Sequence, residues 1–183
     1  MTGQAPPREV LDFWFNAGPG KWWAKDDAFD ADIRRRFGAA HGDAAAGRLD
    51  HWADVPEGAL ALVIVLDQFS RNLFRNDHRA FMQDAKALGM ARNSIARGYD
   101  MAFPPEERRW FYMPFMHAEN LEAQRLCVEF FATRCHFPDH LDSAETHMGI
   151  IRRFGRFPHR NAVLGRPSTP EEQSFLDAGG FAG

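Results

Sequence analysis

The sequence EGALALVIVLDQFSRNLFR, residues 57–75, decides the fold class because its two halves differ in polarity. Residues 59–66 are all apolar, which is typical of a helix that protein surrounds on every side. After them, polar side chains recur at spacings of one, three and four, which places them on one face of a helix. A buried strand over this apolar run is the alternative, but the helical pattern continues to Arg75. We therefore predict one central helix over Ala59–Arg75.

Helical patterns continue through the rest of the chain, and no segment has the pattern of a strand. The other predicted helices cover residues 8–15, 26–47, 78–98, 104–114, 119–135 and 142–154. A last short helix has Thr169 as its N-cap, Pro170 as its first residue, Glu172 at the third position and Gly179 beyond its end. We predict an all-α fold, a compact single-domain bundle of roughly eight helices over residues 1–183.

Composition excludes several classes of function. A chain of 183 residues with 45% hydrophobic and 26% charged residues is typical of a soluble globular domain. The net charge of −3 provides no general attraction to nucleic acid or to an anionic membrane. No run of apolar residues is long enough to span a bilayer, and MTGQAPPREV, residues 1–10, lacks the features of a secretory signal. We predict a protein that binds neither nucleic acid nor membrane.

The two cysteines indicate the compartment. Cys127 and Cys135 lie on one predicted helix, roughly 12 Å apart along its axis. This distance is too large for them to pair with each other. Two free thiols are typical of a reducing environment, so we predict a cytoplasmic protein.

The polar half of the central helix is the first candidate site. It presents one arc of functional groups, formed by Asp67, Gln68, Arg71, Asn72 and Arg75. One interpretation is that the helix emerges into water, with Asp67 and Arg71 as an ordinary i,i+4 ion pair. The other is that the arc lines a cavity beside the core. Arg71 and Arg75 would then offer planar sets of donors to an anion.

The segment FGRFPHRN, residues 154–161, is the second candidate, since it is too aromatic for a solvated linker and too charged for a core. Gly155 suits the left-handed end of a helix, and Pro158 keeps the preceding residue extended. The functional groups that remain are Arg156, His159, Arg160 and Asn161. The alternative is structural, because arginines after a helix complement its dipole and an asparagine can hold loop backbone.

The segment YMPFMHAEN, residues 112–120, is the third candidate. Pro114 interrupts its helix, which favours an irregular backbone around His117 and Glu119. A histidine beside a carboxylate is the usual pair for general acid–base catalysis, although a purely structural histidine remains the alternative.

Metal and cofactor signatures are weak or absent. A set of metal-binding residue types is close in sequence, namely Cys135, His136, His140, Asp142 and His147. Pro138 interrupts the helical spacing within this set, and neither HExxH nor CxxC occurs. The nucleotide and hydrolase motifs GxxxxGK[ST], GxGxxG and GxSxG are also absent. We predict neither a metal ion nor a cofactor.

Four segments together resemble a known family. VLDFWF (10–15), LALVIVLDQFSRNLFR (60–75), PFMHAENLEAQ (114–124) and FGRFPHRNAVLGRPSTPEE (154–172) resemble, in the same order, the bacterial family called domain of unknown function 924. The resemblance implies a compact helical fold of the tetratricopeptide-like type and no established activity. The positions that match the family's motifs form our predicted site. Its candidate catalytic residues are Asp67, His117 and Glu119, and its candidate ligand-binding residues are Gln68, Arg71, Asn72, Arg75, Gln124, Arg156, His159, Arg160, Asn161 and Arg166. The sequence departs from these motifs at Ser70, where the family has proline, and at Ala118, where it has serine.

Two classes of function remain open, and the sequence does not decide whether the protein is an enzyme. In the first, Arg71, Arg75, Arg156 and Arg160 hold a small phosphate- or carboxylate-bearing ligand. His117, Glu119 or Asp67 would then transfer protons, and four arginines against two carboxylates predict a local positive excess. In the second, a tetratricopeptide-like scaffold binds a peptide, a protein or a second copy of the chain. The adjacent Trp22 and Trp23 suit either a partner surface or a lid.

Overall fold

The computed structural model describes residues 5–181, and within this range all regular secondary structure is helical. The all-α prediction is therefore confirmed. The α-helices are α1 (Pro7–Ala17), α2 (Pro19–Trp22), α3 (Asp27–Ala45), α4 (Pro56–Ile64), α5 (Ser70–Leu73), α6 (Asp84–Ala96), α7 (Pro105–Arg108), α8 (Met113–His117), α9 (Leu121–Phe130), α10 (Pro138–Phe154) and α11 (Pro170–Asp177). The predicted domain also includes residues 1–4 and 182–183, which lie outside the described residues.

Shorter helical turns connect and extend these helices. Two are π-helical, Val65–Phe69 and Phe131–Cys135. The others are 3-10 turns at Asp50–Asp54, His78–Ala80, Tyr99–Ala102, Arg109–Phe111 and Pro158–Arg160. Several predicted helices are consequently divided. The one predicted over 104–114 becomes α7, a 3-10 turn and the start of α8, because Pro114 has no N–H with which to continue a preceding helix.

The central helix is confirmed, with one change at each end. α4, the first π turn and α5 form one helical segment from Pro56 to Leu73. Every side chain from Ala59 to Leu66 is at most 1% exposed, as the all-round apolar pattern predicts. The segment ends at Leu73 rather than Arg75, since Phe74 leaves helical geometry at φ −130° and ψ 42°. A π turn adds a residue to one turn of helix and is frequent at functional sites, and this one contains Asp67 and Gln68.

The other long helices surround this segment. α1 and α6 pack against α4, while α3 packs against the π turn and α5. Farther along the chain, α8 packs on α9 and α9 on α10. One large hydrophobic cluster joins residues from α1 to α10. A smaller cluster around Ile150, Ile151 and Phe157 connects α10 with the loop that follows it.

Local predictions at chain turns are confirmed. Thr169 and Glu172 form the reciprocal capping box that begins α11. Gly155 ends α10 in the left-handed conformation at φ 72°.

Cys127 and Cys135 are both free and buried. Of the helices in residues 5–181, none has the length and apolar character needed to cross a membrane.

Candidate functional site

A cavity of about 530 Å³ lies beside the polar end of the central segment. Its wall combines that segment with residues near the ends of α2 and α8 and with the loop after α10. Polar side chains in the wall are Lys25, Gln68, Arg71, Asn72, Arg75, Asn76, His117, His147, His159 and Arg160. Its aromatic side chains are Trp22, Trp23, Phe81 and Phe181. Within the part of the chain that the structure describes, no aspartate or glutamate lines this cavity.

Asp67 is the buried centre of the polar group, with its side chain 1% exposed. The π turn directs this carboxylate toward α8, where His117 Nδ1 lies 2.8 and 3.0 Å from its two oxygens. Gln68 Nε2 donates to Oδ2 at 2.6 Å, and Arg71 Nη1 donates to Oδ1 at 3.0 Å. Burial alone would raise the pKa of Asp67, but Arg71 and the donated hydrogen bonds lower it. The carboxylate therefore remains ionised.

His117 is held in one tautomer and one position. Because ionised Asp67 accepts from Nδ1, the Nε2 atom carries the lone pair of the neutral imidazole. No described residue bonds Nε2, and the ring lines the cavity. Burial, followed by the charge of Arg71, lowers the pKa of His117, so the ring is neutral near pH 7. Arg160 Nη1 donates to the His117 carbonyl at 3.0 Å, which fixes the backbone as well.

Gln124 supports the same helix end from inside the core. Its side chain is fully buried, and Nε2 donates to the carbonyls of Met116 at 2.7 Å and Ala118 at 2.8 Å. These carbonyls flank His117 in sequence. Gln124 does not line the cavity, so the structure gives it a positioning role rather than the predicted ligand contact.

Arg71 and Arg160 meet at one carboxylate, which confirms that their segments converge. Asp84, the first residue of α6, accepts from Arg71 Nη1 and Nη2 at 3.0 and 3.1 Å. The same carboxylate accepts from Arg160 Nη1 at 3.3 Å. The guanidinium of Arg160 also lies over the rings of Phe81 and Phe157, 4.6 and 4.4 Å from their centroids.

Arg75 has a carboxylate partner on α3. Its Nε and Nη2 donate to Asp30, with Nη2 at 3.0 Å from Oδ1, and Asn72 donates to the same carboxylate at 2.7 Å. Asp30 and Asp84 thus neutralise charge that the sequence left uncompensated. The predicted excess of four arginines over two carboxylates is wrong, because Arg71, Arg75 and Arg160 pair with Asp30, Asp67 and Asp84. We refer to these six residues and His117 as the pocket network.

The three arginines of the network all line the cavity and retain donors without a described acceptor. These are Arg71 Nε, Arg75 Nη1, and both Nε and Nη2 of Arg160, of which only Arg160 Nε is fully buried. The paired carboxylates are not part of the cavity wall. An anion in the cavity would therefore meet N–H groups first and carboxylates only behind them.

Two further histidines complete the wall near the C-terminal end of the chain. His147 Nδ1 donates to the Ser143 carbonyl at 2.7 Å, and its ring lies 4.6 Å from that of Phe181. His159 contacts Phe181 at 5.3 Å, and its Nδ1 is buried with no partner among residues 5–181. Burial, followed by the charge of Arg160, lowers the pKa of His159 to about 4. Both rings therefore act as neutral aromatic surface near pH 7.

A second polar cluster holds the loop after α10 and does not line this cavity. Glu119 accepts from Arg166 Nη1 at 2.6 Å and from the backbone N–H of Phe157 at 2.8 Å. Glu172 accepts from Arg156 Nε at 2.7 Å and from Asn161 at 3.2 Å. The two halves are joined because Arg166 Nε donates to the Asn161 side chain at 3.0 Å. We call this cluster the loop clasp.

Four residues of the predicted site belong to the loop clasp and do not line this cavity. Arg156, Asn161 and Arg166 were predicted to bind ligand, and Glu119 to transfer protons. Ionic hydrogen bonds outweigh burial and lower the pKa of Glu119, so its carboxylate is ionised and bound to donors. Glu119 lines a neighbouring cavity of about 430 Å³ but not the one that contains Arg71 and Arg75.

Across residues 5–181, no group of histidine, cysteine and acidic side chains is arranged to hold a metal ion.

Comparison with known proteins identifies the family of this chain. The sequence profile of a family described as bacterial protein of unknown function (DUF924) matches residues 10–180. The chain belongs to DUF924. A solved structure of a protein of unknown function from Agrobacterium tumefaciens has a TM-score of 0.90 and 42% sequence identity with this chain. That match covers 94% of this chain and 97% of the other. No curated protein matches the chain.

Several residues of the wall and its support in this DUF924 protein are not evident from the sequence. Asp30 had a detectable signal, since it precedes the apolar residues Ile33 and Phe37 by three and seven positions on the inner face of α3. An acidic residue on a buried face needs a partner. Phe81 and His147 enter the wall, and Asp84 supports it, through tertiary packing alone, so none of them had a comparable signal.

Proposed function

We propose that the cavity binds a small phosphate- or carboxylate-bearing molecule and that His117 acts on it as a general base. One observation carries the proposal: His117, whose Nε2 is unbonded, and Arg75 and Arg160, which keep spare donors, line one cavity whose wall contains no carboxylate among the described residues. Arginine donors suit both anions because their planar N–H groups match the geometry of carboxylate and phosphate oxygens.

Asp30 and Asp84 cancel positive charge of the arginines, but they still favour binding of an anion. Asp30 and Asp84 fix the guanidinium groups of Arg75, Arg71 and Arg160 before a ligand arrives. Donors that are already oriented lose little conformational freedom on binding. This arrangement predicts moderate affinity with a defined ligand orientation, rather than the strong, non-specific attraction of an uncompensated positive patch.

The Asp67–His117 pair supports proton transfer. When Nε2 takes a proton from the ligand or from water, the imidazolium that forms remains hydrogen-bonded to ionised Asp67. A cysteine nucleophile has no support, because burial raises the pKa of Cys135 to about 11 and also raises that of Cys127. The serine of the central segment, Ser70, is fully buried and donates to the Leu66 carbonyl. Acid–base or hydrolytic chemistry with water as the nucleophile therefore remains.

A tetratricopeptide-like scaffold that binds a protein or a peptide is the second candidate. It is favoured by the ring of Trp23, which is 51% exposed at the cavity wall. A homodimer and a cytoplasmic location remain predictions of the same kind.

Thermal unfolding with and without phosphate tests the proposed anion site. At a hundredfold excess over the dissociation constant, we expect phosphate to stabilise the protein by about 2.7 kcal/mol. Arg75→Gln should remove this gain, because it deletes spare donors and leaves Asn72 bound to Asp30. Arg71 is a poorer choice, since buried Asp67 depends on it. Arg153→Gln is the matched control, because Arg153 pairs with Glu171 on the surface.

Two results would contradict the proposal. The first is that neither phosphate nor acetate changes the unfolding temperature of the wild-type protein. The second is that Arg75→Gln and Arg153→Gln retain the same phosphate response, which would place any bound anion elsewhere.

A further inference from the structure

A second cavity, of about 420 Å³, adjoins the first. Both cavities are lined by Trp23, Met113, His117, His147 and Phe181. These shared side chains form the boundary between them. A ligand that extends beyond the first cavity would therefore enter the second by passing His117.

The walls of the two cavities differ in chemistry. The first contains Lys25 and the three arginines of the pocket network. The second contains no arginine or lysine among the described residues, and Met116 adds to the apolar side chains at the boundary. Trp23 stacks on Trp110, with ring centroids 5.5 Å apart and an interplanar angle of 17°. Because Trp23 is half exposed, an apolar group in the second cavity could cover its free face.

Charged groups around the second cavity disfavour an anion and leave no net attraction for a cation. Asp139 lines it and would repel an anion. The buried Arg109 lies 6.0 Å from the ring of Trp23, which lines this cavity, and 4.9 Å from that of Trp22, which lines only the first. Arg109 also donates to His140 Nε2 at 3.2 Å, and His140 lines the cavity. The positive charge at Arg109 offsets the attraction of Asp139 for a cation at the aromatic face. The apolar lining therefore makes an uncharged apolar group the best match.

We infer that the ligand is an amphiphilic anion, with its phosphate or carboxylate in the first cavity and an uncharged, ring-sized apolar group in the second. This inference rests on the proposed anion site and specifies its ligand class. His117 lines both cavities, so the linkage between the two parts of the ligand would lie beside its ring. A base at that position acts on the linkage rather than on the far end of either group.

Isothermal titration calorimetry with three phosphates tests the ligand class. The probes are inorganic phosphate, phenyl phosphate and choline phosphate, the last carrying a cation in place of the ring. We expect phenyl phosphate to bind at least about tenfold more tightly than inorganic phosphate, since burial of a phenyl group removes more than enough apolar surface from water for that gain. Choline phosphate should bind no more tightly than inorganic phosphate.

Two variants locate the phenyl group. Ser143 is exposed on α10 and lines the second cavity, so Ser143→Trp should fill it and abolish the phenyl advantage while leaving phosphate affinity unchanged. Ser174→Trp on α11 is the matched control, because both serines are exposed and donate to the backbone carbonyl four residues earlier. Trp23→Ala should reduce the phenyl advantage without closing the cavity. Circular dichroism verifies that each variant is folded.

The outcomes separate this inference from the proposed function. Equal affinity for inorganic and phenyl phosphate would overturn the amphiphilic class and leave the anion site in place. Tighter binding of choline phosphate would assign a cationic group to the second cavity and also overturn it. A phenyl advantage that survives Ser143→Trp would place the ring elsewhere, against the inference. Absence of binding by all three probes would remove the anion site and the inference together.

Discussion

The pocket network and the loop clasp use the same residue types for different purposes. In the loop clasp, all three nitrogens of the Arg166 guanidinium donate to Asn161, Glu119 or the Phe157 carbonyl. In the pocket network, Arg71 and Arg75 each keep one nitrogen, and Arg160 keeps two, from which no described residue accepts. Arg156 of the loop clasp also keeps Nη1 without an acceptor among the described residues, but it does not line the cavity. The comparison shows that spare arginine donors point to a ligand site only where the arginine also lines a cavity.

Replacement of Asp67 should have the largest effect on stability. Asp67→Ala leaves the His117 Nδ1–H without its acceptor and Arg71 with only Asp84 as a carboxylate partner. We expect a loss of about 3–5 kcal/mol in the free energy of unfolding, as for other broken buried ion pairs. Urea unfolding monitored by tryptophan fluorescence measures it. A loss below about 1 kcal/mol would mean that the network contributes little to the folded state.

Disruption of the loop clasp should cost less and leave anion binding intact. Arg166 and Glu119 are each 24% exposed, so their pair lies between a buried and a surface ion pair. We expect Arg166→Ala to lose about 1–3 kcal/mol of unfolding free energy. The folded variant should keep the phosphate response of the wild-type protein. Loss of that response in folded Arg166→Ala would merge the two clusters into one functional unit.

The pH dependence of stability should show a smaller effect at His159, which lies between the clusters. Its pKa is lowered to about 4 in the folded protein, against about 6.5 when unfolded. The unfolded chain therefore binds a proton first as pH falls, and the folded state loses stability between pH 6.5 and 4. After allowance for partial exposure, we expect this loss to be about 1–2 kcal/mol smaller in His159→Gln. If the unfolding free energies of the wild-type protein and His159→Gln depend on pH in the same way, the lowered pKa of His159 is contradicted.

The fold could be predicted from sequence because its signals are local. The apolar run Ala59–Leu66, the capping box of α11 and the left-handed Gly155 each follow from neighbouring residues. The π turn was not predicted, because its sequence also fits an ordinary α-helix.

The candidate site could be predicted only in part. Asp67, Arg71, His117 and Arg160 were identified from polar residues that interrupt apolar segments, and the structure brings them together. The same signal occurs at Arg156 and Arg166, and only the positions of Glu172 and Glu119 show that these arginines hold a loop. The partners of Arg75 and Arg160, Asp30 and Asp84, come from α3 and α6. The position of Asp30 on a buried face indicates that it needs a partner, but no local pattern identifies Arg75 as that partner or Asp84 as the partner of Arg160.

Nitrogen-15 NMR of the His117 side chain tests the central claim most directly. Comparison with His117→Gln assigns its signals. We expect a neutral ring at pH 7, protonated at Nδ1, because burial and Arg71 lower its pKa. Added phosphate should shift the Nε2 resonance and raise the pKa of His117, since a nearby anion favours the imidazolium. Arg75→Gln should abolish this response, and Arg156→Gln should preserve it. An imidazolium at pH 7, or an Nε2 signal that phosphate leaves unchanged, would contradict the account.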